Sequence, residues 1–125
     1  MTTEYHYVAG SRKSLSAEYG SSAPSSAHAG SHVSGKIYLL QWDVMYEFSV
    51  TGTSPSVVYA FIKHFNLLEP NNAINPFSPV SGSYPSGVHA MCIQSTQMVV
   101  FAGLNIFKYT RSTGVWMDYG QVPCP

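Results

Sequence analysis

The amino-acid sequence predicts a mainly β protein, a single domain over residues 1–125 made of two tandem units. Three observations support this prediction. The chain has 125 residues, enough for one ordinary domain. Apolar runs rich in β-branched and aromatic residues alternate with turn-forming pairs, as expected for short strands. These runs recur at a fixed offset of 61 residues, which is typical of a repeat architecture.

Comparing the chain with itself defines the two units. An offset of 61 aligns residues 24–53 with residues 85–114 without a gap, and five of the 30 aligned pairs are identical. Most apolar positions fall on apolar positions, so that Ile37–Leu40 aligns with Met98–Phe101. We therefore place the first unit at about residues 8–68 and the second at about residues 69–125.

Each unit is predicted to be an antiparallel meander of three to four strands. Turn-compatible pairs such as Trp42-Asp43 and Gly103-Leu104 are short enough to join strands as hairpins. Thr113-Gly114 leads into a fourth strand of the second unit. The predicted strands span residues 28–33, 36–41, 44–50, 89–94, 97–102, 105–111 and 115–119.

One segment is predicted to be helical. Its apolar residues recur at helical spacing, a candidate N-cap lies at Ser54 or Ser56, and Pro70 follows the end. We expect a short helix near residues 56–66 that closes the first unit. The apolar residues concerned are Val58, Phe61, Ile62, Phe65 and Leu68.

These motifs resemble the hemopexin-like repeat. A His-Ala pair opens the first strand of each unit, an apolar strand and an aromatic strand follow, and the first unit continues from Pro55 to Phe65–Leu68. In the second unit, Val99–Tyr109 is similar to the family's aromatic stretch around a turn glycine. The resemblance covers roughly residues 24–120 and implies two four-stranded β-propeller blades. Kelch-like blades are the alternative, because Val100–Gly103 followed by Tyr109 and Trp116 also fits that pattern.

The resemblance implies self-association. The family's ring has four blades and this chain supplies two, so a ring completed by a twofold-symmetric homodimer is expected. The chain departs from the family at His28 and His89, which stand where an acidic residue is usual, and the second unit has no closing helix. Glu4–Val8 is a candidate for a further outer strand.

His28 and His89 are the candidate metal ligands. The resemblance places the start of each inner strand at a central channel, so a two-chain ring would put four imidazoles around one axis. Such a ring of imidazoles suits a transition-metal ion or haem iron. A polyamine is a further candidate ligand for the channel. The competing interpretation is that both histidines are polar turn or channel residues, since neither has a neighbouring carboxylate.

The aromatic residues are the candidate sugar-binding groups. Neutral sugars stack on aromatic rings and hydrogen-bond to carboxylates and amides. Two tryptophans have a carboxylate one or two positions away, and tyrosines lie close by; the competing interpretation is that the tryptophans are core. The candidate ligand-binding residues are Trp42, Asp43, Tyr46, Trp116, Asp118 and Tyr119.

Composition limits the function further. The formal net charge is zero, with six basic and six acidic residues, which argues against nucleic-acid or membrane-surface binding. We find no catalytic motif, so we expect no enzyme activity. No signal sequence is visible, and Cys92 and Cys124 form neither a CxxC pair nor a disulfide-rich framework, so a cytoplasmic location is expected.

The sequence therefore predicts a non-catalytic, lectin-like protein that binds glycans. The alternatives are a metal, haem or polyamine carrier with a His-lined channel, and a structural coat or decoration subunit.

Overall fold

The computed structural model describes residues 14–53 and 56–121, so the expectation for Glu4–Val8 lies outside the described residues. The fold is mainly β, with two antiparallel four-stranded sheets and one short helix. Sheet 1 has the order β1-β2-β3-β4 and sheet 2 the order β5-β6-β7-β8. The elements are α1 (Leu15–Tyr19), β1 (Ala29–Val33), β2 (Lys36–Gln41), β3 (Val44–Thr51), β4 (Val58–Asn66), β5 (Val88–Ile93), β6 (Gln97–Ala102), β7 (Asn105–Thr110) and β8 (Val115–Gln121).

The strand boundaries follow the 61-residue offset. Strands β2 and β6 begin at Lys36 and Gln97, and strands β3 and β7 begin at Val44 and Asn105. Both sheets are therefore simple meanders whose second and third strands begin at matching positions of the two units. The eight strands form two open sheets, which do not close into a ring within residues 14–53 and 56–121.

The predicted helix near residues 56–66 is wrong, because Val58–Asn66 is strand β4 paired with β3. The register shifts between Glu47 and Phe48, which lie opposite Lys63 and Phe61. Ile62 is thus an extra, bulged residue. The bulge interrupts the alternation of a strand, so the apolar residues on either side of it imitate helical spacing.

The one helix among the described residues is α1, five residues long. Ser14 is its N-cap, and the Ser14 side chain accepts a hydrogen bond from the backbone N–H of Ala17 at 3.1 Å. Gly20 ends it with a positive φ of 97°. The Tyr19 ring packs against Phe48 and Tyr59, with ring centroids 5.5 Å and 4.6 Å away. Helix α1 therefore covers part of one face of sheet 1.

The main core lies between the two sheets. Each sheet contributes one face, which we call its inner face, and Phe77 and Tyr84 of the connector between β4 and β5 join this core. Phe77 of the connector packs against Tyr38, Phe65 and Tyr109, so it contacts both sheets. The core residues of the strands include Tyr38, Leu40, Met45, Phe65, Met91, Ile93, Met98, Val100, Tyr109 and Trp116.

A buried asparagine fixes the path of the connector. Asn75 is fully buried, and its side-chain amide donates to the carbonyl oxygens of Leu67 and Glu69 at 3.1 Å and 3.0 Å. Its side-chain oxygen accepts from the backbone N–H of Phe77 at 2.9 Å. Because every polar atom of this side chain is satisfied, its burial costs little and holds Phe77 in place.

The two sheets use opposite faces of the repeat in this core. Sheet 1 turns Tyr38 and Leu40 inward, whereas sheet 2 turns Met98 and Val100 inward. At an offset of 61, Tyr38 and Leu40 correspond to Val99 and Phe101, which lie on the other face of sheet 2. The sheets therefore pack head to tail. Each has an outer face that matches the inner face of the other.

No helix within residues 14–53 and 56–121 is long and apolar enough to cross a membrane.

Candidate functional site

A pocket of about 270 Å³ lies where the turn between β2 and β3 meets the loop that leads into β5. Its walls therefore come from both units, and it opens at one end of the two sheets. The volume is close to the lower end of the range for small-ligand sites. The lining residues are Trp42, Asp43, Leu68, Tyr84, Pro85, Ser86, Gly87 and Val88.

Trp42 occupies a strained position in the turn between β2 and β3. Its φ is 58°, a value that bulky L-residues rarely adopt, and the corresponding residue of the second unit is Gly103 with a φ of 61°. The Trp42 side chain is nevertheless 76% exposed. A large indole is thus kept in solvent at a glycine position, an arrangement that points to function rather than to packing.

Hydrogen bonds on both sides hold this turn in place. The Tyr84 hydroxyl donates to the backbone carbonyl of Trp42 at 3.2 Å, and the backbone N–H of Leu67 donates to that of Asp43 at 2.8 Å. The Asn66 side-chain amide donates to Asp43 Oδ2 at 3.3 Å. The carboxylate is therefore oriented at the pocket wall while its other oxygen is left for a ligand donor.

His28 lies beside the indole. The backbone N–H of Trp42 donates to His28 Nδ1 at 3.4 Å, and the two ring centroids are 5.4 Å apart. His89 caps the corresponding turn of the second unit, where its Nε2 lies 2.9 Å from the carbonyl oxygen of Gly103. Each histidine is therefore engaged by its own turn.

Tyr84 joins the pocket to the core. It is 6% exposed and packs edge-on against Trp116, with ring centroids 5.7 Å apart. Burial raises the pKa of the Tyr84 hydroxyl well above its ordinary value, and the nearby Asp43 carboxylate adds to this effect. Tyr84 therefore stays protonated and continues to donate to the Trp42 turn at neutral and moderately alkaline pH.

The opposite wall is a short, small-residue loop. Gly87 has a φ of 75°, and a Cβ added there would meet no atom within 4 Å, so its space is open. Ser86 is exposed and supplies a hydroxyl, while Pro85 and Val88 supply apolar surface. The pocket therefore combines an aromatic plane, a carboxylate and a hydroxyl with apolar walls.

The other predicted sugar-binding residues lie elsewhere. Tyr46 stacks on His64 on the outer face of sheet 1, with ring centroids 5.5 Å apart. Trp116 is a core residue, 7% exposed. On the outermost strand of sheet 2, Asp118 accepts from the Gly120 N–H at 2.7 Å, and Lys108 Nζ lies 4.7 Å from the Tyr119 ring centroid. Of the six, only Trp42 and Asp43 line the pocket.

The predicted metal ligands are not joined by a third ligand in the part of the chain that the structure describes. No group of three His, Cys, Asp or Glu side chains there is placed to hold a metal ion. Cys92 is exposed and unpaired.

Sequence reasoning missed the loop that completes the pocket. Tyr84 and Pro85–Val88 were assigned only to the connector, and Leu68 to the predicted helix. A signal was present, because Pro85 and Ser86 align with Pro24 and Ser25 across the repeat. The alignment shows that the loop is a repeated feature of the two units, but it does not predict that the loop packs against the turn of the other unit.

No protein-family model matches this chain, and a search of the curated proteins finds no matching relative. The resemblance to hemopexin-like repeats therefore stays a prediction.

Proposed function

We propose that this chain is a non-catalytic, lectin-like protein that binds a neutral carbohydrate in the Trp42 pocket. The observation that supports this most is the exposed indole, held at a strained backbone position next to an oriented carboxylate. A sugar ring presents an apolar face that suits the indole and hydroxyl groups that suit Asp43 and Ser86. The pocket has room for about one sugar residue, so the end of a glycan or a branch is the expected ligand.

The charge distribution is consistent with a neutral ligand. Asp43 is the one charged residue in the lining, and the neighbouring hydrogen-bonding groups are uncharged. An anionic ligand would meet the Asp43 carboxylate without a lining cation to compensate. We therefore expect neutral sugars to bind in preference to sialylated or sulfated ones.

The experiment is a glycan-array screen followed by calorimetric titration with the sugar that inhibits array binding. Trp42→Ala and Asp43→Asn should each weaken binding at least tenfold. Tyr119→Ala and Asp118→Asn are the controls, since they remove an exposed aromatic ring and a carboxylate that do not line the pocket, and they should bind like the parent chain. The proposal would be refuted if the protein bound none of the glycans on the array, or if Trp42→Ala bound the sugar as tightly as the parent chain does.

We also propose that copies of the chain associate, with two copies completing a propeller-like ring. The head-to-tail packing of the two sheets supports this, because within the described residues it leaves the outer face of sheet 2 uncovered and the outer face of sheet 1 covered in part by α1. Light scattering at several protein concentrations tests it. A particle of many copies would instead favour the alternative of a coat or decoration subunit.

The second candidate function is metal, haem or polyamine binding by His28 and His89. Support comes from the adjacency of β1 and β5, which Ser31 Oγ links by accepting from the Ile93 N–H at 2.8 Å. Ligation would require both imidazoles to leave their turns. Metal analysis and visible absorbance of the purified protein test this candidate. Loss of bound metal in His28→Ala and His89→Ala would support it.

A further inference from the structure

The outer face of sheet 2 is apolar and uncovered within the described residues. It carries partly exposed side chains of β6 and β7 in its centre and more exposed ones on β8, among which Met117 is 52% exposed. Lys108 is the cation of this face and lies over the Tyr119 ring. An apolar sheet face of this kind marks an interaction surface. Its residues include Val99, Phe101, Ile106, Lys108 and Met117.

The repeat identifies what this face resembles. At an offset of 61, Val99, Phe101 and Ile106 correspond to Tyr38, Leu40 and Met45. Those three residues form the inner face of sheet 1, which packs against the inner face of sheet 2. The outer face of sheet 2 is therefore the repeat equivalent of a surface that already binds a neighbouring sheet within the chain.

The complementary surface is present at the other end of the same chain. Tyr46 and Phe48 on the outer face of sheet 1 correspond to Phe107 and Tyr109 on the inner face of sheet 2. Strand β4 adds two apolar side chains at this edge, Phe61, which is 38% exposed, and Ile62, which is 43% exposed. One chain therefore carries both halves of the contact that its own two sheets make.

Helix α1 fits this scheme as part of the contact. At an offset of 61, Ser16 at the start of α1 corresponds to Phe77, the connector residue that packs between the two sheets, and Tyr19 corresponds to Val80 at the edge of β8. Tyr19 packs on Phe48 as Phe77 packs on Tyr109, and Phe48 and Tyr109 are themselves equivalent. In the internal contact, Phe77 is buried against Tyr38 and Phe65 of the neighbouring sheet. We therefore expect Tyr19, which packs on the equivalent aromatic residue, to be covered by the docked sheet in the same way.

We propose that the outer face of sheet 2 docks onto α1 and the outer face of sheet 1 of a second copy, repeating the internal head-to-tail contact between chains. This inference rests on the self-association in the proposed function and names its surface. The same relation puts the exposed turn at Gly103-Leu104 of one copy against residues 24–27 of the next. Leu104, 70% exposed in the single chain, is thereby covered.

The test mixes two variants, each of which has one of the two docking faces blocked by a charged side chain. Met117→Glu places a charge on the face of sheet 2, and Phe61→Glu places one on the face of sheet 1. Each variant alone should have the mass of a single chain in light scattering. Every contact between two identical copies of a variant would include its charged face. Mixed in equal amounts, they should form a 1:1 complex through the one contact that remains intact. Recovery of this complex also shows that both variants are folded.

Val80→Glu is the matched control, since Val80 is 82% exposed and lies outside both faces, and it should associate like the parent chain. A second readout is Cys92, which lies on the outer face of sheet 2 opposite Val99. In a Cys124→Ser background, thiol labelling of Cys92 should slow at least fivefold at concentrations where the chains associate.

A parent chain that is a single chain at all concentrations would overturn the inference. So would self-association of Phe61→Glu alone, because that outcome means that the face of sheet 2 packs on itself. Sugar binding is measured separately on the blocked variants, since the Trp42 pocket lies within one chain. Failure of assembly and failure of carbohydrate binding are therefore distinguishable.

Discussion

The hydroxyl of Tyr84 donates a hydrogen bond to the backbone carbonyl of Trp42 at 3.2 Å, across the boundary between the two repeat units. The Tyr84 ring packs at the same time against Trp116 of the core. One side chain therefore links the packing between the sheets to the position of the exposed indole. The pocket depends on the contact between the units as much as on its own residues.

Tyr84→Phe should lower stability and weaken sugar binding together. The variant keeps the ring and loses one hydrogen bond, which corresponds to about 1 kcal/mol of unfolding free energy. Binding should weaken severalfold, because the Trp42 turn loses a support, and urea titration and calorimetry measure the two effects. Tyr119→Phe is the control, since Tyr119 is 54% exposed. Unchanged binding by Tyr84→Phe would show that the turn holds without this bond.

The stability of the fold should decrease above pH 10. Burial raises the pKa values of Tyr84, Tyr38, Tyr109 and Tyr19 above the ordinary value of 10.0. Between the unfolded and folded pKa values the native state binds more protons than the unfolded state, so this stability is present below pH 10 and is lost as the pH rises. Urea titrations at pH 8 to 11 should show a smaller decrease for Tyr84→Phe. Equal decreases would contradict the assignment to Tyr84.

The sequence predicted the strands well, because apolar runs and turn pairs are local signals. It failed at β4, where the bulge at Ile62 shifts the pattern by one residue. A bulge is selected by the pairing of β4 with β3, which no local pattern records. The closing strand of the first unit was therefore predicted as a helix.

The candidate site was half predictable for a similar reason. Trp42 and Asp43 are adjacent in the chain, so an aromatic plane next to a carboxylate could be read directly. Tyr84 is 42 residues further along, and its place in the pocket follows from the packing of one unit on the other. Trp116 looked equivalent to Trp42 in composition, yet it points into the core, because burial depends on which face of a sheet turns inward.

Trp42→Gly and Trp42→Ala should separate function from stability. Both remove the indole, so both should weaken sugar binding at least tenfold. Alanine at a φ near 58° costs about 1–2 kcal/mol relative to glycine, so Trp42→Gly should unfold at higher urea concentration than Trp42→Ala. The control pair is Leu104→Gly and Leu104→Ala, because Leu104 is exposed and its φ is not positive. There the alanine variant should be the more stable one. If Trp42→Ala were also more stable than Trp42→Gly, the backbone of the Trp42 turn would not be strained.

Replacing Lys36 should lower the stability by more than its exposure suggests, because the carboxylate of its partner Glu47 is buried. Glu47 is 3% exposed, and one of its oxygens lies 2.8 Å from Lys36 Nζ, while the Lys36 side chain is 48% exposed. Lys36→Met removes this partner and leaves the carboxylate buried, which should cost about 2 kcal/mol of unfolding free energy. Adding Glu47→Gln should recover part of the loss, because the amide carries no charge to desolvate.

The pH dependence of this ion pair has a definite sign. The hydrogen bond to Glu47 raises the pKa of Lys36 above 10.5, so the stability from the pair is present below that pH and is lost as the pH rises through the folded-state value. Urea titrations of the parent and of Lys36→Met should therefore converge at strongly alkaline pH, whereas the double variant should stay more stable than Lys36→Met, because it has no buried carboxylate. Lys108→Met, which removes only a contact with the Tyr119 ring, is the control and should cost less than Lys36→Met at neutral pH. An equal cost for the two variants would mean that Glu47 is stabilised by groups other than Lys36.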